Sequence, residues 1–151
     1  MKTNNETANA FVNGYNSKSG NFYTDGQTAT SYNTDIATHF GGVILLAANY
    51  RCMNFYSYGY FYGRTNTTER HKSEIKREAR KNGVQVYEVP NIAIWSRKEH
   101  ENNYQYLKAQ AVEFDEKATR ARKLENVHFY ANEAAKRHVI AARYWNLFLA
   151  D

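Results

Sequence analysis

Short apolar stretches separated by glycine turns fill the first third of the chain, and this pattern is typical of an antiparallel meander. The predicted strands cover residues 21–24, 27–40 and 43–50. Asp25-Gly26 and Gly41-Gly42 lie between these stretches and predict tight turns. Residues 1–19 are polar and rich in Asn, Ser and Thr, so we predict a loose polar arm there.

An aromatic segment follows at residues 54–64, where six of the eight residues from Phe55 to Tyr62 are aromatic. It predicts a fourth strand, in which successive side chains point to opposite faces. One face carries the tyrosines Tyr56, Tyr58, Tyr60 and Tyr62. The other face carries Phe55, Ser57, Gly59 and Phe61. We predict that the phenylalanine face is buried, and that the tyrosine face, with its polar ends, is turned towards solvent or a partner.

The period changes after Arg64, where the pattern becomes helical. The first predicted helix covers residues 69–82, because Thr67-Thr68 can cap its start and Gly83 suits its end. Residues 84–89 then alternate and predict a strand, which the single proline of the chain closes because proline cannot donate to a ladder.

Two long helices are predicted in the last third of the chain. Ser96-Arg97-Lys98-Glu99 has the form of a capping box, and the helix that it begins should run to about Leu124. Asn126 can cap a last helix that ends near Leu149. Apolar residues recur at spacings of three and four, at Tyr104, Leu107, Ala111, Phe114, Ala118 and Ala121 and then at Val127, Tyr130, Ala134, Ala141, Trp145 and Phe148. We predict that these two helices form an antiparallel hairpin.

Together these elements predict an α+β fold, with an antiparallel sheet of four to five strands and one short helix, followed by a C-terminal antiparallel helical hairpin. The 151 residues are enough for one domain with a real core. Within this single domain we expect the polar arm at 1–19, the sheet at 20–95 with the helix at 69–82, and the hairpin at 96–150.

Positive charge is concentrated in the middle of the chain. The net charge is +5, and residues 61–98 hold nine basic and four acidic side chains, which accounts for the whole excess. On the helix at 69–82, Arg70, Arg77 and Lys81 fall within roughly 40° of one another, with Arg80 beside them. Such a stripe next to a row of tyrosines suits contact with phosphates and stacked bases. A solvated face, offset by neighbouring glutamates, and contact with an acidic protein surface remain alternatives.

Motifs for catalysis or cofactor binding are absent from the sequence. It contains no P-loop, no GxGxxG and no HExxH pattern, and its one cysteine excludes an internal disulfide or a cysteine-based zinc cage. A Cys52–His71 nucleophile pair and a metal site at His71, Glu74 and Glu78 are patterns that chance also produces. We therefore expect no enzyme, no cofactor and no metal. We also expect a cytoplasmic protein, because the start of the chain has no secretory signal and the longest apolar stretch, 43–48, is too short to span a bilayer.

Three fragments resemble a family of small bacteriophage proteins of unassigned function: GNFYTDGQTATSYNTDIA, VILLAANYR and YGRTNTTERHKSEIKR. The family has an "SY.T.IA" strand, then a hydrophobic strand, then a "YS.TT..H" segment that opens a helix. The matching residues are Ser31, Tyr32, Thr34, Ile36, Ala37, Tyr62, Thr67, Thr68 and His71. The resemblance covers residues 20–80, and this chain departs from it by an apparent insertion at 53–61 and by Gly63 in place of the serine.

This resemblance implies a phage protein acting in a bacterial host cell, and small phage proteins without catalytic motifs are often inhibitors of host defence. We therefore expect a non-enzymatic, anti-CRISPR-like inhibitor whose partner is a host defence complex, such as a Cas effector, or nucleic acid. The alternatives are a phage DNA- or RNA-binding accessory protein and a structural or assembly protein of the virion. The predicted binding residues are Tyr56, Tyr58, Tyr60, Tyr62, Arg64, Arg70, Arg77, Arg80 and Lys81.

Overall fold

The computed structural model describes residues 2–48 and 66–151. The helices are α1 (Asn4–Val12), α2 (Asn66–Lys81), α3 (Arg97–Arg120) and α4 (Leu124–Phe148). The strands are β1 (Asn16–Ser19), β2 (Phe22–Asp25), β3 (Thr28–Ser31), β4 (Thr34–Phe40), β5 (Val43–Ala47) and β6 (Val86–Val89). The described residues fall into two compact units, a sheet unit made of residues 2–48 and 66–93 and a helical unit made of residues 94–151.

The α+β prediction is confirmed, with six strands in the described residues rather than the four or five expected. The strands lie in chain order from β1 to β6, and every neighbouring pair is antiparallel except the last. Strand β6 runs parallel to β5, and α2 lies in the crossover that such a parallel pair requires. Two of the six strands were not predicted, namely β1 and a second strand within 27–40, where Tyr32 and Asn33 have positive φ angles of 49° and 64° and turn β3 into β4.

Residues 1–19 do not form the loose arm that we expected. Thr3 caps α1 by accepting a hydrogen bond of 3.1 Å from the backbone N–H of Glu6. One face of α1 buries Thr7, Ala8, Phe11 and Val12, and β1 follows it at the edge of the sheet. Packing of this narrow face outweighs the weak helix propensity of the asparagines and threonines in α1.

Both helices of the sheet unit contribute to one hydrophobic core. The core consists of Ala8, Phe11, Val12, Phe22, Ala29, Ile36, Ala37, Ile44, Leu46, Ala47, Ile75 and Ala79. The pairing of β3 with β4 contains a β-bulge. Ala29 pairs with Ala37 and Thr30 pairs with Asp35, so Ile36 is an extra residue on β4, and its side chain belongs to the core. Ile75 and Ala79 come from α2, so this helix is fixed by its apolar face.

The helical unit is the predicted hairpin of α3 and α4. Ser96 and Glu99 form the capping box that the sequence indicates, and the Glu99 carboxylate accepts a hydrogen bond of 3.1 Å from the backbone N–H of Ser96. Helix α3 ends earlier than expected, because Ala121 leaves the helical region with a ψ of 139°. Helix α4 then begins at Leu124, with Lys123 rather than Asn126 at the N-cap.

A polar cluster lies in the core of this hairpin. The Tyr144 hydroxyl lies 2.7 Å from Nδ1 of His100 and accepts a hydrogen bond of 2.8 Å from the Asn103 side chain, and all three residues are buried. The predicted stripe contained Trp145 instead, but Trp145 is 39% exposed and packs edge-on against Tyr104. The tyrosine can take the inward position because α3 satisfies its hydroxyl.

We expect Tyr144→Phe to lower the free energy of unfolding by about 1–3 kcal/mol, because it removes a hydroxyl that two buried polar side chains contact. Tyr130→Phe on the same helix is the matched control. The Tyr130 hydroxyl has no hydrogen bond within residues 2–48 and 66–151, so its loss should change stability little. Urea unfolding followed by circular dichroism compares the two, and equal effects would contradict the role given to Tyr144.

Candidate functional site

The outer face of α2 carries the described part of the predicted binding surface. Arg70, Arg77, Arg80 and Lys81 are all exposed, as the helical spacing predicted. We call these four side chains the basic face. Ile75 and Ala79 are fully buried in the core on the other side of α2, so the helix cannot turn the basic face inward without opening the core.

Contacts with α1 and β3 fix the orientation of α2 further. The Asn9 side chain of α1 donates a hydrogen bond of 3.2 Å to the Glu78 carboxylate, which is almost completely buried. At the start of α2, Oγ of Ser31 lies 3.2 Å from Oγ1 of Thr68 and 2.7 Å from Nδ1 of His71. These polar contacts join the helix to its neighbours at both ends of its buried face.

Carboxylates near α2 pair with its lysines. Lys72 lies 3.6 Å from Glu69, Lys76 lies 3.1 Å from Glu88 and Lys81 lies 3.5 Å from Glu78. In the part of the chain that the structure describes, no carboxylate forms an ion pair with Arg70, Arg77 or Arg80. The described carboxylates therefore leave these three guanidinium groups unpaired, and the planar forks of such groups suit phosphate or carboxylate oxygens.

The cluster of Ser31, Thr68 and His71 was not predicted as a site. Its members come from two of the three fragments that carry the resemblance to phage proteins, and the fold brings these two fragments together across 40 residues of sequence. The His71 ring also stacks on Phe22, with centroids 4.4 Å apart and an angle of 11° between the rings. The shared "SY.T.IA" and "TT..H" spacing was the signal that could have indicated this contact.

Burial controls the electrostatics of this cluster. Ser31 is 1% exposed and His71 is 3% exposed. Burial lowers the pKa of His71 below its usual value, and the neighbouring positive charge of Arg70 lowers it further. The imidazole is therefore neutral at pH 7, and a Ser–His contact so deeply buried serves to hold α2 on β3 rather than to present a nucleophile.

Lys72 is the one buried lysine among the described residues of α2. Burial lowers its pKa, while the charges of Glu69 and Glu88 act in the opposite direction. Its partner Glu69 is partly exposed, so the pair lies at the edge of the core next to His71. Neither Lys72 nor Glu69 belongs to the basic face.

Five of the predicted binding residues lie outside the described residues: Tyr56, Tyr58, Tyr60, Tyr62 and Arg64. The aromatic strand, its two faces and Cys52 lie outside them as well. The burial of Phe55 and Phe61 and the exposure of the tyrosine row stay predictions.

No protein-family model, curated protein or solved structure matches this chain. Within the described ranges, no group of His, Cys, Asp and Glu side chains is arranged to hold a metal ion. None of the helices in those ranges is both long enough and apolar enough to cross a membrane. The geometry of α2 is therefore the basis for a functional proposal.

We expect the free energy of unfolding to fall as the pH is lowered from about 7 to about 5. The folded pKa of His71 lies below its ordinary value of 6.5, so at lower pH the unfolded chain binds a proton that the folded chain does not. The resulting slope is at most about 1.4 kcal/mol per pH unit. His100, whose pKa burial also lowers, adds to the slope in the same direction.

The variant His71→Asn should therefore show a shallower dependence of stability on pH, although it is less stable at pH 7. Phe22→Leu is the comparison, because it keeps the titrating imidazole and should keep a slope of the same sign, reduced by the burial that the Phe22 ring gives to His71. Chemical denaturation at a series of pH values measures both, and an unchanged slope in His71→Asn would refute the assignment.

Proposed function

We propose that this chain is a non-enzymatic phage protein that inhibits a host defence or nucleic-acid-handling complex, in the manner of anti-CRISPR proteins. It does so by occupying a nucleic-acid or partner site with the basic face of α2. In this proposal the tyrosine row and Arg64 extend the same surface. Its partner is a host defence complex, a Cas effector among the candidates, or the nucleic acid that such a complex handles.

The observation that carries this proposal is the set of exposed arginines on α2. Arg70, Arg77 and Arg80 are exposed, lie on one helix and form no ion pair with a described residue. Guanidinium groups bind phosphate oxygens with two parallel hydrogen bonds and release counterions from a nucleic acid when they do so. The same geometry fits the acidic surface of a protein that mimics or binds nucleic acid.

The phage part of the proposal is supported by the resemblance given above. Ser31, Thr68 and His71 are three of the residues that carry it, and they form one buried cluster. The cluster lies on the buried side of the helix that presents the basic face, so a shared scaffold would hold α2 in the same way.

A phage accessory protein that binds DNA or RNA directly is the alternative that the exposed arginines also favour. The two functions differ in what the basic face binds. An accessory protein binds free nucleic acid with an affinity that falls steeply with salt. An inhibitor binds a host protein complex and does not need free nucleic acid.

We expect Arg70→Glu with Arg77→Glu to abolish binding to the partner and to leave the melting temperature nearly unchanged, because both side chains are exposed. If the partner is nucleic acid, the slope of log affinity against log salt should fall by about 2, or about one for each lost phosphate contact. Binding is measured with random-sequence DNA and RNA at several salt concentrations, and with host proteins captured from a bacterial lysate.

The matched control is Lys98→Glu with Arg122→Glu, which makes the same change in net charge at exposed positions of the helical unit. Loss of binding in the first pair and retention in the second supports the basic face. Equal binding by both pairs and the unchanged protein would remove α2 from the proposed function. Capture of a defence complex without binding to free nucleic acid selects the inhibitor over the accessory protein.

A further inference from the structure

One exposed face of α4 has no partner in the described part of the chain. Seven residues define it, and we call them the outer stripe: Leu124, His128, Ala131, Ala135, Val139, Ala142 and Asn146. At 100° per residue they fall within about 80° of one another. All seven are exposed, whereas Ala134, Ala141 and Tyr144 of the same helix are buried. Five of the seven are apolar, so the stripe is an apolar face in solvent.

Exposed apolar side chains are concentrated on this helix. Leu124 is 71% exposed and Val139 is 49% exposed within the stripe, and Phe129 on another side of the same helix is 56% exposed. A helix that packs on one side only is expected to carry charged and polar residues on the other. A continuous apolar face left in solvent is typical of an interaction surface.

The spacing of the outer stripe is that of a helix-packing seam. Its intervals are four, three, four, four, three and four, so the pattern repeats after 11 residues and extends from Leu124 to Asn146. An 11-residue repeat stays close to the natural twist of a helix, and 22 steps span about 33 Å. The face therefore fits another helix of similar length better than it fits a small molecule.

Polar and charged side chains lie along one flank of the stripe, whereas the other flank carries His138, whose Nε2 lies 2.7 Å from the Asp115 carboxylate of α3. Glu125, Asn132, Lys136 and Arg143 fall within about 40° of one another on the polar flank. All four are exposed, and neither Glu125 nor Arg143 forms an ion pair with a described residue. Glu125 lies at the start of α4 and Arg143 near its end, so the flank has opposite charges at its two ends.

This distribution of charge favours antiparallel packing of α4 against the α4 helix of a second copy of the chain. In a parallel pair of identical helices, each flank faces the opposite flank of the partner, so Glu125 and Arg143 would face no oppositely charged residue of the partner's α4. In an antiparallel pair the same flanks face each other, as two-fold symmetry requires. Glu125 of each copy then lies opposite Arg143 of the other, which forms two ion pairs.

The polar flank and the apolar stripe agree on one register. With Glu125 opposite Arg143, Asn132 lies opposite Lys136 of the second copy, where the amide oxygen can accept from the ammonium group. The two-fold axis then passes between Ala131 and Ala135, whose small side chains allow the helices to approach closely. A shift of one turn separates Glu125 from Arg143 by about 6 Å, and in one direction it places Lys136 against Lys136.

We propose that two copies of this chain associate through antiparallel packing of their α4 helices, with a two-fold axis between Ala131 and Ala135. The interface is isologous, so every contact occurs twice. It rests on the outer stripe and not on the basic face of α2, and either proposal can fail without the other.

Val139→Glu places a charge in the seam and should raise the dimer dissociation constant at least about tenfold, because each dimer then buries two unpaired carboxylates. Val112→Glu on α3 is the matched control. Val112 is 41% exposed against 49% for Val139, the amino-acid change is the same, and Val112 lies outside the seam. Sedimentation equilibrium of the full chain measures both, and circular dichroism checks that both variants stay folded.

Charge reversal tests the direction of packing. Glu125→Arg and Arg143→Glu should each weaken the dimer about tenfold, and the double variant should recover most of the loss. A parallel dimer gives no recovery, because the two residues then lie at opposite ends of the interface. Absence of recovery would therefore overturn the antiparallel register.

Three further outcomes overturn the proposal. The first is a chain that stays monomeric up to about 1 mM. The second is an observed dimer that Val139→Glu leaves intact, which places the interface elsewhere. The third is a monomeric chain that binds vesicles of phosphatidylglycerol, or a single host protein, and loses that binding with Val139→Glu, which assigns the face to that other occupant.

Discussion

The attachment of α2 to the sheet is the constraint on which the candidate site depends. Helix α2 carries six basic residues, and its apolar contribution to the core consists of the buried side chains Ile75 and Ala79. The polar contacts of Ser31 with Thr68 and His71 help to fix the rotation of α2 about its own axis. Because these contacts all lie on one side of α2, the arginines on the opposite side face solvent.

Buried histidines are used in the same way in both units. His71 contacts Ser31 in the sheet unit, and His100 contacts Tyr144 in the helical unit. In each case burial lowers the pKa of the imidazole, so the neutral ring fits an apolar surrounding and still satisfies a hydroxyl. These polar contacts favour one arrangement of each core, because a buried polar group without a partner lowers the stability of the fold more than a poorly packed apolar group does.

Local signals in the sequence predicted the fold class and most elements, whereas features that depend on distant contacts were missed. The capping box at Ser96 and the glycine after α2 act through neighbouring residues, and the exposure of the basic face followed in the same way from helical spacing. Helix α1 instead depends on burial of Phe11, and the polar residues around Phe11 form no apolar pattern from which this burial could be predicted. The inward position of Tyr144 depends on His100 and Asn103, 44 and 41 residues away. Apolar spacing alone cannot show that a hydroxyl will find a partner across the hairpin.

The lysines and arginines of α2 differ in whether they form ion pairs, and this difference bears on what the basic face binds. All three lysines of α2 form ion pairs with carboxylates, two of them within one turn of the helix, whereas its three arginines form none with a described residue. A helix that needed only solubility would gain as much from Glu–Arg pairs as from Glu–Lys pairs, since exposed pairs contribute about 0–1 kcal/mol of either kind. Leaving the arginines open instead retains the side chains with the strongest geometric preference for phosphate and carboxylate groups. Mutual repulsion among three guanidinium groups that form no ion pair with a described residue is a cost to the free protein, and the anionic partner that we propose would relieve it.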